Sequence, residues 1–298
     1  LIGLERLPPP SGATESEWRL RVPAQHAFLE GHFPGNPVLP AAAQLLLVHE
    51  LACERAGERL ALLGLSGVRL RRRIAPGEEL ALALEDSGRF ELRAAGELAT
   101  SGALELARAT ELESRPPESL RLSEVPHATP ASNATPSVAE ASHHAAARAN
   151  ERSPRTRCLP HALPALLLGD VLEHDEHALA SRLELAPDSA WRIHARGARL
   201  SGLLALEAGA QAAALHLGLA LERTGEPRAQ AGFLVALRAA RFDPAGIELA
   251  PELLARTLVR ARCVESAAPL SNWSFELEQA GRVLASGRFS AWQSEPTS

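Results

Sequence analysis

Two stretches of this chain read as helices that are apolar almost all the way round, and that constrains the rest of the fold. About Pro40–Ala56 places Ala43, Leu46, Leu47, Leu51 and Ala52 near a 3.6-residue period with little polar interruption. About Gly202–Leu221 goes further, since Glu207 is the sole charged residue between Leu200 and Leu221. Helices of this kind are enclosed by other elements rather than laid on a surface. Strand-like runs flank both. In the first half they are Trp18–Val22, Leu62–Arg71, Glu79–Leu84, Arg89–Ala94 and Ala99–Ala107, with a turn at Ala75–Glu78. In the second they are Leu166–Leu172, Ala178–Leu185, Ala231–Arg241, Leu254–Val264, Trp273–Glu278 and Arg282–Trp292. Each half is strands, one buried helix, then a meander of strands. That order fits an α+β layer in which a sheet wraps a central helix, and argues against alternating βαβ units.

The halves are separated by composition. From about Glu113 to Arg157 the chain is rich in Pro, Ser, Ala, Thr and Arg, as in Pro126–Pro136 (PHATPASNATP). Such a stretch has no apolar period and buries too little to offset its ordering entropy. We expect domains at 1–112 and 158–298, joined by a disordered tether over 113–157. Two similar halves point to duplication, and edge-to-edge pairing of their sheets would remove exposed edges.

Composition excludes several classes. Net charge is −5 and pI about 6.2, which argues against a general nucleic-acid binder. No Lys occurs, so Schiff-base chemistry is ruled out. Cys53, Cys158 and Cys263 are far apart and give neither a disulfide framework nor a zinc site, so a reducing cytoplasm is the expected setting. We expect no membrane span and see no basic-then-apolar leader. The chain starts at Leu1 and contains no Met, so it reads as a segment of a longer open reading frame.

The first candidate site is Gly31–Pro40 (GHFPGNPVLP). Pro37 and Pro40 stiffen it, and Pro40 sits where a helix can open, at or near its first residue. A stiff loop entering a helix fixes the His32 imidazole and aims free backbone N–H groups at a carbonyl oxygen. A base beside an oxyanion site is what proton abstraction next to a thioester carbonyl needs. On the residues alone, an incidental loop histidine fits as well.

The run Phe28–Pro40 (FLEGHFPGNPVLP) closely resembles the signature of the 3-hydroxyacyl-acyl-carrier-protein dehydratases, hotdog-fold enzymes of bacterial fatty-acid and aryl-polyene synthesis. Arg73–Leu80 (RIAPGEEL) resembles the family's strand–PG–strand connection. The resemblance implies that His32 is the catalytic histidine, that the Val38 carbonyl holds its ring, and that the Ala41 N–H faces the thioester oxygen. Phe33, Gly35 and Pro40, with Gln211 of the second half, would line or support the substrate tunnel. The family usually has Gly where Ala41 stands. It places an acid fourteen positions after the histidine, where this chain has Leu46. Glu50, one turn later, is a candidate substitute.

The second half opens Cys158–Val171 (CLPHALPALLLGDV), which resembles the opening of the same broad family, in particular the partner subunit of aryl-polyene dehydratases. Its helix, Gly202–Gln211 (GLLALEAGAQ), resembles the family's helix, with Glu207 on the acid position and Gln211 four residues on, on the same face. In apolar surroundings the Glu207 carboxyl should have a raised pKa, suited to a general acid. No second GHFPG loop occurs, and His194, in a stretch without prolines, is a weak counterpart of His32.

One half thus has the histidine without the acid, and the other the acid without the histidine. In the family each site is built across a dimer interface. We therefore expect a double hotdog, a fusion of two subunits into a pseudo-dimer with one composite site, His32 as base and Glu207 as acid. The pseudo-symmetric site of Leu46 and His194 would be degenerate. The implied reaction dehydrates 3-hydroxyacyl thioesters without metal or organic cofactor, the substrate riding on the phosphopantetheine of an acyl carrier protein. Arg69, Arg71, Arg72 and Arg73 could dock that acidic carrier, or form a solvated strand edge. Ketosynthase or other synthase components are further candidate partners, and pseudo-dimers could associate further. Alternatives are a hotdog thioesterase, a CoA-thioester hydratase, or a non-catalytic acyl-binding or assembly module.

Overall fold

The structure is a computed structural model that describes residues 3–8, 16–114, 158–224 and 232–293. The expected tether, 113–157, lies almost wholly outside the described residues. The first half contains β1 (Glu5–Arg6), β2 (Glu17–Arg21), α1 (Ala41–Ala56), β3 (Ala61–Leu70), β4 (Glu79–Leu84), β5 (Arg89–Ala94) and β6 (Glu97–Ala107), then a short helix, Ala109–Ser114. The second contains β7 (Leu168–His174), β8 (Ala178–Leu183), β9 (Arg199–Leu200), α2 (Leu204–Thr224), β10 (Gly232–Phe242), β11 (Ile247–Glu248), β12 (Thr257–Ala267), β13 (Leu270–Gln279) and β14 (Arg282–Gln293).

Twelve strands form one antiparallel sheet in the order β1-β2-β4-β5-β6-β3-β10-β14-β13-β12-β8-β7, and β9 pairs with β11 apart from it. The halves meet edge to edge at β3 and β10, in the register Arg69↔Ala236, Val68↔Leu237 and Leu65↔Ala240. This is the pairing expected of two hotdog units. It turns two exposed edges into a continuous ladder.

The sheet curls around two helices because its inner face is apolar. Leu80, Leu82 and Leu84 of β4 and Phe90, Leu92 and Ala94 of β5 are buried, and the residues alternating with them are exposed. Burying one such Leu or Phe contributes about 1.5–3 kcal/mol. Every residue of α1 from Ala42 to Cys53 is buried, as its all-round apolar composition requires. The helix stops at Gly57, which takes the left-handed conformation and donates its N–H to the Glu54 carbonyl.

α2 departs from the expectation that no run could span a bilayer. By length and composition it is apolar enough to cross a membrane, but 67% of its apolar 18-residue stretch is buried inside this fold. Here it is a core helix, packed against β8, β12 and β13 and touching α1.

Candidate active site

The 31–40 loop is built by backbone hydrogen bonds. Phe33 and Asn36 exchange N–H···O bonds of 3.2 and 3.0 Å across a tight turn, and Gly35 at its tip has φ 76°. Only glycine takes that conformation without cost. Gly35 therefore supports the loop and does not line the cavity described below. The Val38 N–H donates to the His32 carbonyl at 2.6 Å. The expected contact from the Val38 carbonyl to the imidazole is absent, since His32 Nδ1 has no hydrogen-bond partner among the described residues. α1 starts at Ala41, so Pro40 is the residue before the first turn, and the Gln44 N–H donates back to the Pro40 carbonyl at 3.0 Å. The Gln44 side chain also donates to the Leu39 carbonyl at 2.9 Å.

From the other half, residues 158–167 dock against this loop. The Ala162 N–H donates to the Gly31 carbonyl at 3.1 Å. Gly31 has φ 79°, and a Cβ there would meet the Ala162 carbonyl oxygen at 2.2 Å, so the approach requires glycine. Gln211 of α2 fastens the same segment. Its amide nitrogen donates to the Ala165 carbonyl at 2.9 Å, and its oxygen accepts from the Leu167 N–H at 2.9 Å.

These contacts bring His32 and Glu207 together. His32 Nε2 lies 3.0 Å from Glu207 Oε1, and both side chains are buried. Gln211 Nε2 donates to the same oxygen at 3.3 Å. A third residue joins them. His161 Nε2 is 3.6 Å from Oε1, and its ring packs edge-on against His32 and Phe33 with centroids 4.8 Å apart in each case. His161 was overlooked as a site residue in the sequence. The available signal was its place in the Leu159–Pro164 run, a histidine flanked by prolines like His32.

Ionisation here differs from the sequence expectation. Burial, the largest single influence, pushes the Glu207 carboxyl up. The charge of His32 and the His161 and His32 nitrogens aimed at the carboxyl outweigh it, and hold Glu207 well below the usual carboxylate range. With Glu207 ionised, His32 Nε2 carries the hydrogen of the short contact. Burial pushes His161 down, which keeps its ring neutral.

The donor atoms of His32, His161 and Glu207 all lie within 4.8 Å of one another, close enough to share a proton or a cation. Metal-ligating imidazoles almost always have a carboxylate or carbonyl behind the second nitrogen. Neither His32 Nδ1 nor His161 Nδ1 has one.

A cavity of about 340 Å³ opens onto these groups. Phe33, Val38, Pro40, Ala41, Leu206 and Phe233 are among the residues that line it, with Arg71, Arg72 and Arg73. Arg73 lies over the Phe233 ring at 3.6 Å, and Arg72 pairs with Glu78 at 2.7 Å. Arg69 is not on the wall, and one of its nitrogens donates to the Val68 carbonyl.

Glu50 is not at this site. It is bound by Arg59 at 2.9 Å and by Arg196 of the other half. Burial pushes its carboxyl up, but the two arginines bring it below its ordinary value. Leu46 is buried, and His194 stacks on Phe28 with ring centroids 5.3 Å apart. Phe28 also meets Trp191 edge-on at 5.1 Å, so the region around His194 is filled with rings.

Family models divide the chain at the same place as its fold. Residues 10–103 match the ApeI-like family, described as ApeI dehydratase, and residues 153–298 match the ApeP-like family, described as ApeP dehydratase. The chain belongs to these two dehydratase families, one in each half. His32 lies in the ApeI-like half, and Glu207, Gln211 and His161 lie in the ApeP-like half. Among curated relatives, the chain is 37% identical over 71 residues to the 3-hydroxyacyl-acyl-carrier-protein dehydratase FabZ of Chloroflexus aggregans, covering 22% of this chain and 49% of that protein. A FabZ of Acidiphilium cryptum is 34% identical over 68 residues, covering 20% of this chain and 41% of that protein. The chain thus spans about half the length of the curated relatives it matches. Among solved structures, the dehydratase domain of RzxB from Pseudomonas fluorescens superposes with a TM-score of 0.62 at 16% identity, over 98% of this chain and 97% of that one. That likeness extends the double-hotdog fold to both halves of the ApeI-like and ApeP-like pair.

Proposed function

We propose that the chain dehydrates 3-hydroxyacyl thioesters to trans-2-enoyl thioesters, with one composite site made from both halves. The observation that carries this reading is the 3.0 Å contact between His32 Nε2 and Glu207 Oε1. A base and an acid beside one cavity suit the removal of a C2 proton and a C3 hydroxyl.

The resting contact has its hydrogen on His32, and elimination needs it on Glu207. Entry of an acyl chain removes water from the cavity and disfavours separated charge, which drives the proton across the contact to the carboxyl. The free Nε2 lone pair of His32 then takes the C2 proton, whose bond breaks as the C2–C3 double bond forms. The Ala41 N–H, at the start of α1, faces the charge that develops on the thioester oxygen. The C3–O bond breaks, and the hydroxyl leaves as water with the proton from Glu207. His32 is left protonated beside ionised Glu207, so passage of a proton back to Oε1 prepares the next turnover. The chemistry is acid–base throughout and calls on no cofactor.

Arg71 and Arg73 line the cavity and have no carboxylate partner among the described residues. This supports a substrate delivered by an acidic acyl carrier protein. The test is conversion of a 3-hydroxyacyl carrier protein to the enoyl form by wild type, His32→Ala and Glu207→Gln. Each variant should lose about 10²–10⁴-fold in kcat. Near-full turnover in either, or thiol release in place of enoyl product, rejects the assignment.

A further inference from the structure

Glu207 has one crowded oxygen, and its proposed task removes one of that oxygen's partners. Oε1 faces His32 Nε2 at 3.0 Å, Gln211 Nε2 at 3.3 Å and His161 Nε2 at 3.6 Å. To take a C2 proton, His32 must turn Nε2 toward substrate. The same nitrogen cannot then donate to Oε1. The carboxyl would lose its shortest contact at the moment it must deliver a proton along one direction.

His161 is the group placed to keep that contact. At 3.6 Å its N–H attracts Oε1 at rest without making a full hydrogen bond, and such contacts tighten when a substrate is bound. Its ring has little freedom to leave. It is wedged between His32, at an interplanar angle of 88°, and Phe33, at 70°. Its loop is clamped by the Ala162–Gly31 hydrogen bond and stiffened by Pro160.

We propose that His161 is a positioning residue that holds Oε1 of Glu207, with His32 at rest and in its place while His32 faces the substrate. The carboxyl is thereby kept in place while Oε1 passes the proton it took from His32 to the leaving hydroxyl. The resting half of this statement stands on the geometry above, and the turnover half rests on the dehydratase reading. His161 keeps its own Nε2 hydrogen throughout.

The titratable groups facing Glu207 are His32 from the first half and His161 from the 158–167 segment. α2 adds Gln211, which does not titrate, and Arg71, Arg72 and Arg73 stand on the cavity wall. Loss of a donor to an ionised carboxylate raises its pKa. In His161→Phe we expect kcat to fall about tenfold or more with KM changed less than about twofold, and the acid limb of the kcat profile to move up by about one pH unit. His161→Gln, which keeps an N–H donor, should recover much of both effects. His161→Leu takes the place of the Phe variant if the larger ring prevents folding. A second readout needs no turnover. The His32 Cε1–H resonance of the free protein should report the Glu207 ionisation, and that low-pH step should move up in His161→Phe. An unmoved acid limb, or an unmoved NMR step, overturns the proposal. A moved NMR step in a protein that does not dehydrate would instead remove the dehydratase reading and leave the resting contact in place.

Discussion

Glu207 Oε1 lies 3.0 Å from His32 Nε2 although the two residues are 175 positions apart, one in each half of the chain. Leu46 of α1 stands where the first half, by the resemblance of its loop, would have carried its own acid. The site therefore exists only when both halves are docked.

Because both partners come from one chain, a mixture of His32→Ala and Glu207→Ala proteins should remain inactive. Each molecule would lack one member of its only composite site. Recovery of turnover on mixing, in proportion to concentration, would mean that the site is assembled between chains.

Stability should fall as the pH drops from about 7.5 to 5.5. His161, His49, His174, His194 and His216 all have pKa values lowered chiefly by burial. Below the ordinary histidine value of about 6.5 the unfolded chain binds protons that the folded one refuses, so acid favours unfolding. Glu207, whose folded pKa is depressed, adds stability above about pH 4.3 that is lost at lower pH. Thermal melts across this range should show a midpoint rising with pH, with a shallower slope in His161→Phe. A flat profile contradicts the burial of these rings.

Glu50→Gln should cost stability and spare chemistry. Its carboxylate is buried, but Arg59 and Arg196 are about half exposed, so the loss should be about 1–2 kcal/mol rather than that of a fully buried pair. Denaturant titration and kcat measured together would separate the two effects. A large fall in kcat at unchanged stability would return Glu50 to the list of candidate acids.

Gly31→Ala should impair the site without touching an acid–base group. Its Cβ would meet the Ala162 carbonyl oxygen at 2.2 Å, and the backbone is already at φ 79°. A loss of about 2–4 kcal/mol is expected, together with reduced turnover as the 158–167 segment lifts from the loop. Wild-type stability would show that this docking is looser than the geometry describes.

Arg71→Glu combined with Arg73→Glu should raise KM for a carrier-bound substrate and leave KM for a pantetheine thioester nearly unchanged. The wild-type KM for the carrier should also rise with salt. Equal effects on both substrates would place the arginines on the acyl pocket instead.

Much of the architecture was legible along the chain. Two all-round apolar helices had to be enclosed, and the alternation in β4 and β5 showed which face would do it. GHFPGNPVLP marked His32, and a lone carboxylate in an apolar helix marked Glu207. Other features were out of reach because they depend on neighbours distant in sequence. The isolated-burial argument raised the Glu207 pKa, whereas the folded chain lowers it by placing His32 and His161 on the carboxyl. Glu50 shares a helix with the expected acid position, but the fold hands it to Arg59 and Arg196. The length and hydropathy of α2 are consistent with a membrane span, and only the enclosing strands make it a core helix.

The sequence by itself determined which residues would be buried and which segments carry acid–base groups, because period and residue type are local properties. Tertiary structure alone decided that His161 joins His32 at Glu207, which oxygen they share, and where the proton rests. Those outcomes depend on distances of a few ångströms between segments that meet only when the two halves close on each other.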